Sequence, residues 1–406
     1  MNEKYDIAIV GGGMVGAALA AALSRAPLKI LLIDAQSFQQ VPPPQEYDIR
    51  VSAITQASKR FFQSLGVWQA IHDFRASPFR EMHVWEEQQE TAIHFDGAEI
   101  GEEELGYIIE NRVIQYFLHE HLRASENITF KDSVSIESYV SISDNEISVS
   151  LDSGEQFECQ LLVGADGNRS TVRSLAGIKT HGWQYDQSAV VATVKTALPH
   201  ANTAWQCFLS DGPLAFLPLD DNYSSIVWST TPARAGELQS LPVDQFEAQL
   251  EQAFEGRLGQ VELHGERGVF PLQLQYAKQY VMNNIALVGD AAHSIHPLAG
   301  QGVNLGILDA ACLADVILQG QSLGKPLGSY ALLRRYERWR KGDNLGMMFM
   351  MDAFKRIFAV ESVPLKMLRT KGLQLTNAIE PLKKLIMQGA AGMRGELPSM
   401  IKDNKV

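Results

Sequence analysis

Cysteine is scarce: Cys159, Cys207 and Cys312 are the only three in 406 residues, and none sits in a CxxC or metal-ligand spacing. A disulfide scaffold and a thiolate-held metal are therefore excluded, and a reducing compartment is expected. Long apolar runs are missing as well. No stretch approaches 18 uninterrupted apolar residues, so no bilayer-spanning segment is expected. The chain enters the strand-like run Tyr5–Val10 without a basic and then apolar leader, so no signal peptide is expected. Positive charge is in deficit, 35 Lys/Arg against 47 Asp/Glu for a net charge of −12. Nucleic acid, a polyanion that needs a basic footprint, is excluded as a partner. There is no internal repeat and no low-complexity tract.

What is present is an ordinary globular composition, 46% hydrophobic and 20% charged, over a length that predicts two or three lobes. The charge is uneven. From Ala331 onward there are 15 Lys/Arg and 7 Asp/Glu, and eight of the 12 Met residues. A basic, Met-rich end on an acidic body fits an anionic surface such as a membrane face. The alternative is a helical layer with a solvated basic face.

The pattern opens with a βαβ unit: strand Tyr5–Val10, a glycine turn, an Ala-rich helix over Val15–Ser24, and strand Lys29–Asp34. Helices are expected over Ser52–Leu65 and Glu110–Ala124, an antiparallel meander from Thr129 to Cys159, and a buried strand at Leu161–Gly164. From about His181 to Pro271 the texture changes to short strands with one helix, Val243–Phe254. Asn284–Val288 is again a strand, and the chain is mostly helical from Gly306. The expected division is a nucleotide-binding domain in two parts, 1–180 and 274–340. A sheet-containing substrate domain (181–273) is inserted between them, and a helical region (341–406) follows.

Three glycine motifs carry the chemistry. In Gly11-x-Gly13-x-x-Gly16, directly after a strand, the first glycine permits a tight turn, the second a close approach to pyrophosphate and the third close helix packing. Met14 and Val15 lie within this turn, and the helix that follows offers free N–H groups to an anion. Asp34, 18 residues after Gly16 and followed by Ala35, is placed to accept ribose hydroxyls. Two later motifs separate FAD from NAD. Gly164-Ala165-Asp166-Gly167 ends one strand, and Gly289-Asp290 ends another, leading into Pro297, Gly300, Gln301, Gly302, Val303 and Asn304. A plain NAD dehydrogenase needs neither. A flavin has ribityl hydroxyls that want an acceptor such as Asp290, and a ring edge that wants backbone donors, which the helix entry around Ala299–Val303 supplies.

The ordered triple resembles the FAD-dependent aromatic hydroxylases of the para-hydroxybenzoate hydroxylase kind over nearly the whole chain. The fold this implies is α/β: a Rossmann-type FAD-binding domain, an inserted α+β substrate domain and a helical C-terminal layer. It also implies that Arg50 and Arg112 lie along the cofactor and that Asp290 meets the ribityl chain. His296-Pro297 through Gly306, and Arg50-Val51-Ser52-Ala53-Ile54, resemble the ubiquinone-biosynthesis branch, which brings Ala53 into the cofactor set. Gly66-Val67-Trp68, Leu105-Gly106-Tyr107, Trp183-Gln184-Tyr185 and Asp211-Gly212-Pro213 are similar to the branch members that act on demethoxyubiquinol.

The resemblance implies reduction by NADH or NADPH, addition of O2 as a flavin hydroperoxide, and hydroxylation of a prenylated quinol or phenol. No second nucleotide fingerprint is present, so the reductant is expected to bind transiently. The flavin carries the chemistry, so no side chain is named as catalytic. His293 and His296 are the titratable candidates beside the flavin loop, with bracing of that loop as the alternative. Trp205, Phe208, Phe216 and Trp228 are candidates to line the ring pocket, with a plain sheet core as the alternative. At ~0.8 kcal/mol per CH₂, a prenyl tail keeps the substrate in a bilayer or in a partner's apolar cavity. The basic C-terminal region is then expected to dock on the inner face of the cytoplasmic membrane or on a ubiquinone-biosynthesis complex. The protein itself is expected to be cytoplasmic, with a homo-oligomer allowed. Three alternatives stay open: a sister hydroxylase acting elsewhere on the ring (octaprenylphenol, for example), a flavin-dependent reductase, and a non-catalytic FAD-holding subunit.

Overall fold

The computed structural model describes residues 3–38, 40–43, 46–89, 92–294, 302–359 and 380–402. A mainly parallel sheet runs β17 (Val281–Met282), β18 (Ile285–Leu287), β11 (Gln156–Gly164), β1 (Glu3–Val10), β2 (Ile30–Ile33), β8 (Ile128–Lys131). All four residues of β2 are buried, as expected for a parallel strand covered on both faces. The predicted meander is β9 (Ile136–Ser143) and β10 (Glu146–Leu151), laid antiparallel on β11. Helix α1 (Met14–Leu23) is apolar on nearly every side because it is enclosed between neighbours, packing on α4 (Asn111–Arg123) and α8 (Gly302–Ser322). By length and a mean hydropathy of 1.4, α8 is apolar enough to cross a membrane, but 78% of that window is buried inside the fold. It is the core helix.

The expected helix over Ser52–Leu65 begins later than the sequence pattern implied. Val51–Thr55 is strand β3, paired with β7 (Gly106–Glu110), which in turn pairs with β4 (Ser77–Phe79). The helix, α2 (Gln56–Leu65), starts where the Thr55 side chain accepts the Ser58 N–H and ends at Gly66 in the left-handed region. Helix α3 (Trp68–Arg75) follows.

The second large sheet runs β19 (His293–Ser294), β16 (Val261–Ala277), β12 (Thr180–Thr196), β15 (Tyr223–Thr230), β14 (Gly212–Pro218), β13 (Thr203–Leu209), β5 (Glu81–Glu86), β6 (Ala92–Asp96). The expected boundary at 180/181 is thus crossed. β5 and β6 come from the first part of the chain, yet β5 pairs with β13 in this sheet. Helices α6 (Pro232–Ser240) and α7 (Val243–Ala253) cover one face, and their side chains join the strands in a separate hydrophobic core. The other face looks toward the nucleotide-side lobe. Short α5 (Thr171–Leu175), long α9 (Tyr330–Ala359) and α10 (Glu380–Ala390) complete the chain. The C-terminal segment returns to the first lobe: Ser399 bonds the buried Asp315 of α8, and Lys383 pairs with Glu99 at 2.5 Å.

Candidate functional site

The glycine turn is enforced by contact distance. Gly11 has φ +106°, and a Cβ there would stand 2.3 Å from the Ala165 carbonyl oxygen; at Gly16 it would stand 1.9 Å from the Gly11 oxygen. The turn, the end of β11 and the start of α1 therefore touch backbone to backbone. Helix α1 has no side-chain cap and no acid in its first turn, so its first N–H groups are orphan donors. They open onto a cleft lined by Gly13, Met14 and Val15.

That cleft has two halves of about 500 and about 490 Å³, which share Gly13, Arg50, Asn111, Gln115, Ala165 and Gly167. Volumes of this order suit a cofactor site. The polar half takes in Asp34, Ala35, Arg112 and Asp166, with Ser135 and Thr171. Asp34 accepts the Gly12 N–H at 2.6 Å and the Gln36 N–H at 2.8 Å, one on each oxygen, and each oxygen keeps a lone pair for a hydroxyl. Arg112 is spoken for by Glu110, at 2.8 Å, and by the Glu46 carbonyl. Buried Glu110 also holds Arg75 at 2.5 Å and the Asp48 N–H at 2.6 Å. This fixes the segment that presents Ile49 and Arg50 to the cavity.

The two acidic turns are physically joined. Asp166 caps α5 through the Thr171 and Val172 N–H groups and accepts the Ser170 hydroxyl. Buried Arg173 then donates to the Asn168 carbonyl at 2.6 Å and to the Ala291 carbonyl at 2.8 Å, bridging the turn after Asp166 to the turn after Asp290. Asp290 itself lines the other half of the cavity. Its carboxylate can be reached from the cavity but is ringed by protein, and burial pushes its pKa up against the pull of His293 and Arg50. Gly164 ends β11 beside Leu287, and Gly302 and Val303 of α8 line the cavity.

Behind the Gly289-Asp290 turn lies a buried charge network. Asp309 accepts from the Gly289 N–H (3.1 Å), His293 Nε2 (2.5 Å), Arg340 Nε (2.8 Å) and Asn344 Nδ2 (3.0 Å). Burial alone would raise the Asp309 pKa, but His293 and Arg340 outweigh it and hold the carboxyl at about 2. His293 is thus a brace beneath the turn. His296, Pro297, Gly300 and Gln301 lie outside the described residues. Asn304 does not line the cavity. Its amide clips α8 to β3, donating to the Ala53 carbonyl and accepting from the Thr55 N–H and the Ser58 hydroxyl. Ala53 is likewise buried.

The aromatic candidates for the ring pocket need correcting. Trp205, Phe216 and Trp228 point to the opposite face of the second sheet, among side chains of α6 and α7. Phe208 has cavity-side parity but sits further along the sheet, on the strand beside β5. Successive strand residues alternate faces, and the register pairs Trp228 with Val190 but Val227 with Val191. The cavity wall is therefore Ala189, Val191, Leu217, Val227 and Phe270. Gln115 and His119 were also missed. With Asn111 they form a polar row at four-residue spacing on the otherwise apolar inner face of α4. That spacing is visible in the sequence, though what the row faces is not.

The FAD binding domain family matches residues 4–342. The chain is 40% identical to the 3-demethoxyubiquinol 3-hydroxylase of Escherichia coli (strain K12) over 393 residues, 97% of this chain and 100% of that one. It is 38% identical to the mitochondrial ubiquinone biosynthesis monooxygenase COQ6 of Danio rerio, covering 96% of this chain and 90% of that one. Among solved structures, the p-nitrophenol 4-monooxygenase of Pseudomonas putida has a similar fold. Its TM-score is 0.78 at 18% identity, over 97% of this chain and 100% of that one.

Proposed function

The chain belongs to the FAD binding domain family and is an FAD-dependent monooxygenase, and from that premise we propose that it hydroxylates the ring of demethoxyubiquinol. One observation carries the reading: the polar cleft at the glycine turn opens directly into a chamber walled by Ala189, Val191, Leu217, Val227 and Phe270. A nucleotide suits the first space, and a flat apolar ring with a prenyl tail suits the second. The fit to FAD rests on the uncapped start of α1 for the pyrophosphate and on Asp34 for ribose hydroxyls. Arg50 and Asp290 fit the part of the cofactor that borders the chamber.

Bound there, FAD supplies redox and oxygen-activating chemistry, with NADH or NADPH as the transient reductant. The protein's own contribution is placement and dryness. The sheet face orients the ring, its aliphatic side chains exclude water, and the network on Asp309 keeps Asp290 and the start of α8 in register. The basic, Met-rich end serves as the membrane contact through which a bilayer-held substrate is reached, on the inner face of the cytoplasmic membrane. Residues 360–379 of that segment lie outside the described residues. Arg334, Arg340, Lys341 and Lys383 hold ion pairs within the fold. Replacing Lys366, Arg369 and Lys371 with Glu should then abolish sedimentation with anionic vesicles while FAD stays bound; undiminished sedimentation refutes it.

The deciding experiment supplies purified protein with a short-chain demethoxyubiquinol, NADH or NADPH, and ¹⁸O₂. Incorporation of one labelled oxygen into the ring supports the proposal. Reduction of the substrate without oxygen would make the protein a reductase, and absence of substrate-stimulated NAD(P)H oxidation would make it a holding subunit. Quinone profiles of a strain lacking the protein separate ring positions, since accumulated octaprenylphenol would point to a sister hydroxylase.

A further inference from the structure

His119 is buried on α4, 3% exposed, with its Nε2 2.6 Å from the carbonyl oxygen of Gly12, the middle residue of the glycine turn. A carbonyl only accepts, so Nε2 carries the hydrogen and donates it. Among the described residues, Nδ1 is buried without a partner. Phe38 packs edge-on against the ring, centroids 4.8 Å apart, and a Cβ at Gly12 would stand 2.7 Å from Phe38 Cε1. On the other side of Gly12, its N–H donates to Asp34. Both peptides flanking Gly12 are therefore held, one by Asp34 and the other by His119.

The second peptide is the informative one. The Gly12 carbonyl and the Gly13 N–H belong to the same planar trans unit and point in opposite directions. With the carbonyl drawn toward α4, the Gly13 N–H is turned away from it, and Gly13 lines both halves of the cavity. We infer that His119 is a positioning residue that aims the Gly13 N–H at the cofactor's pyrophosphate by anchoring the far side of that peptide. Burial pushes the imidazole's pKa down further than the Gly12 carbonyl and Asp34 raise it, so the ring stays neutral with one hydrogen, the number this geometry uses.

The inference rests on the assignment of the cleft to FAD, and the wild-type protein is the control that separates the two. If wild-type apoprotein binds neither FAD nor ADP, the cleft assignment fails. If it binds them, variants are compared by fluorescence titration with FAD and with ADP, alongside the melting temperature of each apoprotein. His119→Leu removes the donor and is expected to weaken both ligands about tenfold, the worth of one well-placed hydrogen bond. His119→Gln keeps a donor nitrogen near the Nε2 position and is expected to stay within about threefold of wild type. Should the Leu variant not fold, His119→Asn, one methylene shorter than Gln, takes its place as the loss variant. A lowered apoprotein melting temperature with unchanged FAD and ADP affinity would make His119 structural only and overturn the inference. Failure of Gln to restore affinity would also overturn it.

Discussion

The two halves of the cavity are built on different rules. The half around the glycine turn is made of backbone. Gly11 and Gly16 stand where a Cβ would lie about 2 Å from a carbonyl oxygen, so one residue type is dictated and the position is marked in the sequence. The chamber half is made of side chains from one face of an antiparallel sheet, where Ala, Val, Leu or Phe all serve. Nothing in their identity separates them from Val190, Phe216 and Trp228 on the other face. A site assembled from backbone leaves a signature; a site assembled from a strand face leaves only a parity, which becomes readable once the register is known.

The strongest test of the comparison strikes the support the halves share. Asp309→Asn removes the buried carboxylate paired with Arg340, leaving it only the exposed Asp343 at 3.4 Å, and should cost about 3–5 kcal/mol, read by denaturant unfolding, with flavin lost in parallel. A cost under ~1 kcal/mol would mean the Gly289-Asp290 turn does not depend on this network. The same group sets an acid limit. Its folded pKa, about 2, lies below the ~3.9 of a free aspartate. Its stabilising contribution is therefore complete above about pH 4 and is lost as pH falls from there through 2.

A second test separates the two sheet faces. Val191→Trp fills the chamber and should lower kcat/KM by about tenfold to a hundredfold while FAD affinity holds. Trp228→Phe, one residue away in parity, should cost about 1–3 kcal/mol of stability and leave KM alone. An unchanged kcat/KM in the first variant, or an altered KM in the second, would reverse the assignment of faces.

The smallest expected effect is at Asp290, whose pH signature has the opposite sign. Burial raises its folded pKa, so its charge opposes folding above the unfolded value, and stability falls as pH rises from about 4. Asp290→Asn should raise the neutral-pH melting temperature of the apoprotein slightly. The gain should vanish near pH 4. A fall instead would place the carboxylate in a favourable ion pair.

How much of this was legible follows from the same distinction. The βαβ opening, the glycine turn, the acid after β2 and the two later strand-to-turn motifs could be read directly, because steric exclusion and backbone periodicity act locally. The start of α2 was misread because Val51–Thr55 becomes a strand only by pairing with β7, more than 50 residues away in sequence. The entry of β5 and β6 into the second sheet, the cavity-facing parity of Val191 and Val227, and the grip of His119 on Gly12 likewise depend on partners distant in the chain. Asp309, a residue of α8, becomes the centre of a network only because folding places Arg340 and His293 against it. Local rules settled the glycine turn and the family; the chamber, its supports and its facing residues were decided by long-range contacts, since a side chain's chemistry becomes a site only when its neighbours are known.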